Sequence, residues 1–300
     1  MRPILIVGSI AFDTLHLGGK CHSKVLGGSA TYASMSAAHF NPVQLVGVVG
    51  QDFPDSATKL LRDRGVDLAG LEIAQGETFH WEGRYSEDLS SRETLRTDLN
   101  VFADFKPKIP QSFRKAPFVM LGNIDPTLQI EVLEQIDKPA FVLADTMNLW
   151  IDIRQNELKT LCSRVDMLVL NDEEARQLTD KANLVHAAKA LRALGPKQVV
   201  IKKGEHGALL FQNDEVFALP ALPLASVVDP TGAGDTFAGA LIGYLARSND
   251  LSSNSVRRSL AYGSVLASFC VEGVGMERVS KISTADVDAR YEQLRGLTSF

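Results

Sequence analysis

Short apolar runs rich in β-branched residues recur at 4–8, 43–49, 118–121, 141–144, 167–170 and 199–201. Their near-continuous apolarity predicts strands buried on both faces. Between them apolar residues return at helical spacing over 29–39, 56–64, 128–135, 173–178 and 184–194, the last closed by the helix stop Gly195-Pro196. This alternation predicts an α/β fold, a mostly parallel central sheet covered by helices on both faces. Ligands of such open sheets bind beyond the carboxyl ends of the strands. The polar residues at those ends are Asp13, Gly50 with Asp52, Asn123 with Asp125, Asp145, Asn171, and Lys202 with Lys203, so several should converge on one edge.

Two segments break the alternation. Residues 12–22 alternate weakly, and 78–100 carry Phe79, Trp81 and Tyr85 among many charges, too polar for a core helix. They are expected to pair as a small β lid, drawn from about residues 11–26 and 74–105, that excludes water from a site. A solvated surface excursion is the alternative. With no repeat, low-complexity tract or Pro-rich linker, residues 1–300 read as a single domain.

Composition narrows the class of partner. A net charge of −5 with dispersed basic residues gives no electrostatic footprint for nucleic acid or an anionic membrane. Cys21, Cys162 and Cys270 are odd in number, far apart and without a C-x-x-C pair, which argues against a disulfide framework or a cysteine zinc site. The first apolar run is too short for a signal or membrane segment, so a reduced cytoplasmic setting is expected.

The chemistry concentrates in Asp229-Pro230-Thr231-Gly232-Ala233-Gly234-Asp235, followed by Thr236-Phe237-Ala238-Gly239-Ala240. Gly232 and Gly234 allow backbone N–H groups to converge on an anion at a helix start, and Ala238 to Ala240 suit close helix packing. Asp235 stands where the anion would bind. A carboxylate there is costly unless it has a task, and taking a proton from an attacking hydroxyl is an obvious one; a capped helix after a glycine turn is the plainer reading. Other signals are weaker. Gly27-Gly28 before a helical pattern could set amides against substrate oxygens or be simple architecture. Asn171 and Glu174, three apart, could organise the water shell of Mg²⁺, although the local pattern favours a capping box. Lys202-Lys203-Gly204-Glu205-His206-Gly207 could meet nucleotide phosphates and is equally a hairpin turn.

Residues 229–240, with Gly27-Gly28 and Asn171-x-x-Glu174 in the same order, resemble the ribokinase-like superfamily, the PfkB family of carbohydrate kinases, over essentially the whole chain. The resemblance implies an ATP- and Mg²⁺-dependent cytoplasmic kinase that phosphorylates a primary hydroxyl. Asp235 would be the base, and Gly232, Ala233 and Gly234 the anion hole. Asn171 and Glu174 would hold Mg²⁺ through water, with Asn171, Lys202, Gly204, Gly207 and Gly273 along the nucleotide. Asp13, Gly27 and Gly28 would bind substrate, Asp229 and Thr231 would be ligands for K⁺, and a homodimer could form through the lid, a monomer with a self-packed lid being the alternative. Departures lie where substrate is chosen. Ser29 and Tyr32 replace the Lys and Asn that follow the double glycine in ribokinases, and Asp145-Thr146-Met147-Asn148 lacks the following Arg of an Asp-x-Asn-x-Arg pattern. A neutral sugar or polyol is the expected acceptor. Phe12, Tyr32, Phe79 and Trp81 make a nucleoside the alternative through base stacking. A non-catalytic nucleotide or metabolite sensor on the same fold is a further alternative.

Overall fold

Each apolar run read as a strand lies in one nine-stranded sheet. In the computed structural model, which describes residues 2–299, the strands in chain order are β1 (Ile4–Val7), β2 (Ala11–Leu17), β3 (Lys20–Gly27), β4 (Val43–Val49), β5 (Val66–Ile73), β6 (Phe79–Tyr85), β7 (Arg92–Asp98), β8 (Phe118–Leu121), β9 (Phe141–Asp145), β10 (Met167–Asn171), β11 (Gln198–Lys202), β12 (Ala208–Gln212) and β13 (Glu215–Leu219). The main sheet runs β13-β12-β11-β10-β9-β8-β1-β4-β5. It is parallel from β11 to β5, with an antiparallel hairpin added at the β12–β13 edge. Registers such as Ile4↔Val43 and Ile4↔Phe118 align the runs, so their carboxyl ends form one edge.

Helices α1 (Ser29–Ala37), α2 (Asp55–Asp63), α3 (Pro126–Glu134), α4 (Asn148–Ile153), α5 (Gln155–Cys162), α6 (Asp172–Thr179), α7 (Leu184–Ala193), α8 (Ala233–Ser248), α9 (Ser253–Cys270) and α10 (Thr284–Leu297) cover the sheet. One core joins α1, α8, α9 and α10 to one face of the sheet, and a second joins α3, α5, α6 and α7 to the other. The small residues around Gly239 serve close packing: a Cβ at Gly239 would lie 2.3 Å from the Ala33 carbonyl oxygen of α1. Helix α3 begins two residues earlier than its apolar period, because Asp125 caps it through the Thr127 N–H and Pro126 suits the first turn. Helix α9 escaped the periodic reading because serines interrupt its apolar face.

The two polar segments pair as expected. They form a separate four-stranded sheet, β3-β2-β6-β7, in which β2 and β6 are parallel and the outer pairs antiparallel. Asp52 joins this sheet to the body, accepting bonds from the Thr78 N–H at 2.8 Å and the Thr78 hydroxyl at 2.7 Å. Among the described residues no helix is long and apolar enough to cross a membrane.

Candidate active site

The turn before α8 is built around a buried acid. Asp229 accepts the Thr231 N–H at 2.9 Å on one oxygen and the Gly275 N–H at 3.0 Å on the other. Gly232 then takes φ 73° as the N-cap of α8. A Cβ there would stand 2.4 Å from ring carbons of Tyr32, so both the left-handed backbone and the space demand glycine. The first-turn amides of α8 point out of the helix, where an anion would meet them. The Ala233 N–H, expected among them, is turned to the Pro230 carbonyl at 3.3 Å.

Asp235, in that same first turn, keeps part of its surface open to the cleft. Burial and, secondarily, Asp145 push its carboxyl up to about 7, against the pull of Lys202 and Arg92. Asp145 ends β9 and is buried; its Oδ1 accepts the Thr146 N–H and its Oδ2 meets Lys202 Nζ at 3.1 Å. Burial raises the Asp145 pKa, an effect that Lys202 opposes. Lys202 ends β11 and reaches past β10 to make this contact. Burial works against its charge, but Asp145, Glu174 and Asp235 together hold its pKa above the usual lysine range.

Asn171 and Glu174 form the capping box that their spacing suggested. Asn171 Oδ1 accepts the Glu174 N–H at 2.8 Å, and Glu174 Oε2 accepts the Asn171 N–H at 2.7 Å. The box nevertheless sits in the cluster: burial drives the Glu174 carboxyl up to about 7, Lys202 opposes that shift and Asp145 adds to it.

Asp13 faces the same space from the small sheet. A Cβ at Gly27 would come within 2.1 Å of its carboxylate, so the absence of a side chain makes its room, while Gly28 packs directly on the backbone of Ser9 and Ile10. Burial, then Asp229 and Asp235, raise the Asp13 carboxyl to about 8, with Arg92 acting against them. Asp13 pairs in register with Trp81, which places the two side chains on one face of the sheet. Two residues missed in the sequence complete this side. Tyr85 Oη lies 2.9 Å from Thr231 Oγ1, bridging the small sheet to the glycine turn. The Arg92 guanidinium lies 5.2 Å from the Trp81 ring centre, and its field lowers the pKa of Asp13, Asp235 and Glu174. The sequence marked Tyr85 only as an aromatic of the expected lid and Arg92 not at all; their positions depend on the pairing of β6 with β7.

Other expected residues sit elsewhere. Gly204 and Gly207 belong to the hairpin between β11 and β12, closed by the Lys203 N–H on the Gly207 carbonyl at 2.8 Å. Gly273 stands against Arg278, and its neighbour Gly275 reaches Asp229 and packs on Val25 of β3. Of the polar strand ends, Asn123 accepts from the Trp150 indole and Asp125 caps α3 and pairs with Arg154, both structural tasks. Tyr32 is 1% exposed beneath Gly232, so its ring is closed to a ligand, while half-buried Phe79 has one face stacked on Phe102. Among the described residues no three His, Cys, Asp or Glu side chains gather as a ready metal cluster.

Comparison with known proteins places this arrangement. Residues 1–282 match the family described as pfkB family carbohydrate kinase. The chain is 30% identical over 257 residues to a cytidine kinase of Thermococcus kodakarensis, covering 84% of this chain and 91% of that protein. Among solved structures, the Methanocaldococcus jannaschii nucleoside kinase superposes with a TM-score of 0.78 at 17% identity, covering 98% of this chain and 99% of the other. The Arabidopsis thaliana ribokinase complexed with ribose and ATP superposes at 0.75 and 22% identity, covering 97% and 99%. These two likenesses establish the fold.

Proposed function

The chain belongs to the pfkB family of carbohydrate kinases and is a phosphotransferase with an alcohol acceptor; on that premise we propose that it is an ATP-dependent nucleoside kinase. One observation carries the choice of acceptor. Trp81 and Asp13 share a face of the small sheet, and the indole lies over Gly83, where a Cβ would come within 2.1 Å of the ring. A base taking the place of the Arg92 guanidinium on this indole, beside a carboxyl group for ribose hydroxyls, is what a nucleoside requires. The similarity to a cytidine kinase supports the same reading.

In the reaction, the primary hydroxyl oxygen attacks the γ-phosphorus, the bond to the β-phosphate oxygen breaks, and ADP leaves. Asp235 takes the hydroxyl proton; its raised pKa makes it a stronger base than an ordinary carboxylate while leaving it ionised in a useful fraction near neutrality. The amides of Gly232 and Gly234, with that of Asp235, face the growing phosphoryl charge, and Ala233 joins them once its long bond to Pro230 opens. Asp13, Gly27 and Gly28 bound the acceptor, and the hairpin with Gly204 and Gly207 and the loop at Gly273 border the nucleotide.

The donor set suits Mg²⁺. Glu174, Asp145 and Asp235 leave the site with an excess of buried acid that a divalent ion relieves, and Asn171 with Glu174 would hold it through water. When bound, Mg²⁺ would supply positive charge to offset that of the phosphates. For K⁺, both Asp229 oxygens already accept amides and Thr231 Oγ1 meets Tyr85, so no step depends on it.

A neutral sugar or polyol is the second reading, favoured by Arg92 over Trp81 and the Tyr85–Thr231 bridge, which leave a compact space. ADP release measured over a panel of nucleosides, ribose and inositol decides between them. We expect kcat/KM for a nucleoside to exceed that for any sugar by about 10²-fold or more, a margin within reach of a site built to bind a base. The reverse order establishes the second reading, and ATP binding without acceptor-dependent turnover establishes a sensor. We further propose that the chain is one kinase unit and that a second copy pairs through the small sheet, where Leu95 of β7 is exposed; sedimentation velocity reads the oligomeric state.

A further inference from the structure

Lys202 occupies a place that its role along the nucleotide does not explain. Its side chain leaves the β11 end, turns away from the hairpin and crosses β10 to Asp145, where Nζ lies 3.1 Å from Oδ2. Both side chains are withdrawn from solvent, Lys202 at 18% and Asp145 at 4% exposure. On its other side Nζ lies 2.8 Å from where a Cβ on Gly234 would stand, so the ammonium is packed against the turn whose amides face the anion. A lysine that only neutralised Asp145 would have no reason to rest on that turn. Its position also separates it from the base: it pairs with Asp145 and acts on Asp235 only through its field, leaving the Asp235 carboxylate free to take a proton.

We propose that Lys202 is a catalytic cation for this reaction, held by Asp145 so that its ammonium donates to the oxygens of the phosphoryl group in transfer. The proposal rests on the kinase reading above and adds to it the source of positive charge at the reacting phosphorus. As the hydroxyl oxygen bonds to phosphorus and the bond to ADP breaks, negative charge grows on the equatorial oxygens. Two N–H groups of Lys202 not taken by Asp145 meet that charge from beside Gly234, in the first turn of α8. The lysine keeps its own proton throughout, and the hydroxyl proton goes to Asp235. Asp145 is a positioning residue: it fixes the ammonium and keeps it charged in a site with little water.

The test separates contact with the γ-phosphate from contact with ADP and from mere packing. Binding of ADP and of the β,γ-methylene analogue of ATP, each with Mg²⁺, is measured by calorimetry for the wild type, Lys202→Met, and the double variant Lys202→Met with Asp145→Asn. The double variant removes both buried charges and protects the fold if the single variant is unstable. We expect affinity for ADP to change by less than about threefold while affinity for the analogue falls about tenfold or more, the loss of one charge-assisted contact. Turnover should fall roughly 10²- to 10³-fold in kcat, with the KM of the acceptor nearly constant, as for other lost donors to a developing charge. Equal losses for ADP and the analogue, or an unchanged ratio in both variants, overturn the proposal. If the wild type turns over no acceptor, the kinase reading fails, and the affinity ratio still decides the role of Lys202.

Discussion

The main sheet and the small sheet meet at one cleft but are built on opposite terms. Strands β1, β8 and β9 are buried along their whole length, whereas β7 is exposed over all but its last residue. The first sheet is held by two cores of helices; the second meets it at Asp52 at its root, at Tyr85 at its tip and through Phe12 on Phe53. Rigid, buried elements fix reacting groups within a fraction of an ångström, and marginal elements are the ones that can open. The body therefore holds Asp235, Asp145, Lys202 and the glycine turn, and the small sheet brings Asp13, Trp81 and Arg92 to them.

The sharpest way to break this division of labour is Asp235→Asn. It should lower kcat roughly 10²- to 10⁴-fold with nucleotide affinity retained, since only the base is lost; unchanged turnover in steady-state assays would refute its role. Next comes Gly232→Ala, which places a methyl group against Tyr32 on a left-handed backbone. A loss of stability on the order of 1–3 kcal/mol, read by thermal melting, and a matching loss of activity are expected.

Acidity provides a third test, one that joins the two sheets. With Asp235 as the proposed base, activity requires its ionised form, so kcat/KM should fall about tenfold per pH unit below an apparent pKa near 7. Arg92 lowers that pKa from the small sheet, so Arg92→Met should move the acid limb to higher pH; a fixed limb would show that the sheet stands away from Asp235 in solution.

Stability should run the opposite way from activity. Asp13, Asp235 and Glu174 have folded pKa values of about 8, 7 and 7, above their ordinary 3.8, 3.8 and 4.5. Between about pH 4 and pH 8 the unfolded chain gives up these protons first, so the stability they contribute at low pH is lost as pH rises. Asp13→Asn should therefore raise the melting temperature more at pH 8 than at pH 5. The smallest expected effect belongs to Tyr85→Phe, which removes one hydroxyl contact worth about 1 kcal/mol. It should change kcat/KM a few-fold and increase hydrogen exchange in β6 and β7.

Most of the body was legible because burial on both faces leaves a simple trace, a run of Val, Ile and Leu closed by a polar residue. Strands β4 and β8 match their apolar runs residue for residue. The proposed site was legible where one local segment carries it, as in residues 229–235. It was not legible where function depends on pairing across strands. Lys202 read as part of a nucleotide turn because its neighbours are glycines, yet its partner Asp145 lies two strands away. Tyr85 was legible only as one aromatic of the expected lid and Arg92 only as one of its charges, and the β6–β7 register brings them over the cleft. The aromatics misled in part for the converse reason. A pattern reports that Tyr32 is apolar and inward without saying whether its ring is buried by protein or waits for a ligand.

The chain has two tryptophans, and the fold has separated them by task. Trp150 is fixed in the body by its bond to Asn123, while Trp81 lies in the small sheet beneath the Arg92 guanidinium. A change in the distance between that guanidinium and the indole alters fluorescence at one residue and leaves the other as an internal reference. Replacing Trp150 with Phe would leave a protein whose intrinsic emission reports the movement of the small sheet alone, so that opening, substrate entry and closure can be timed by stopped flow without an attached dye.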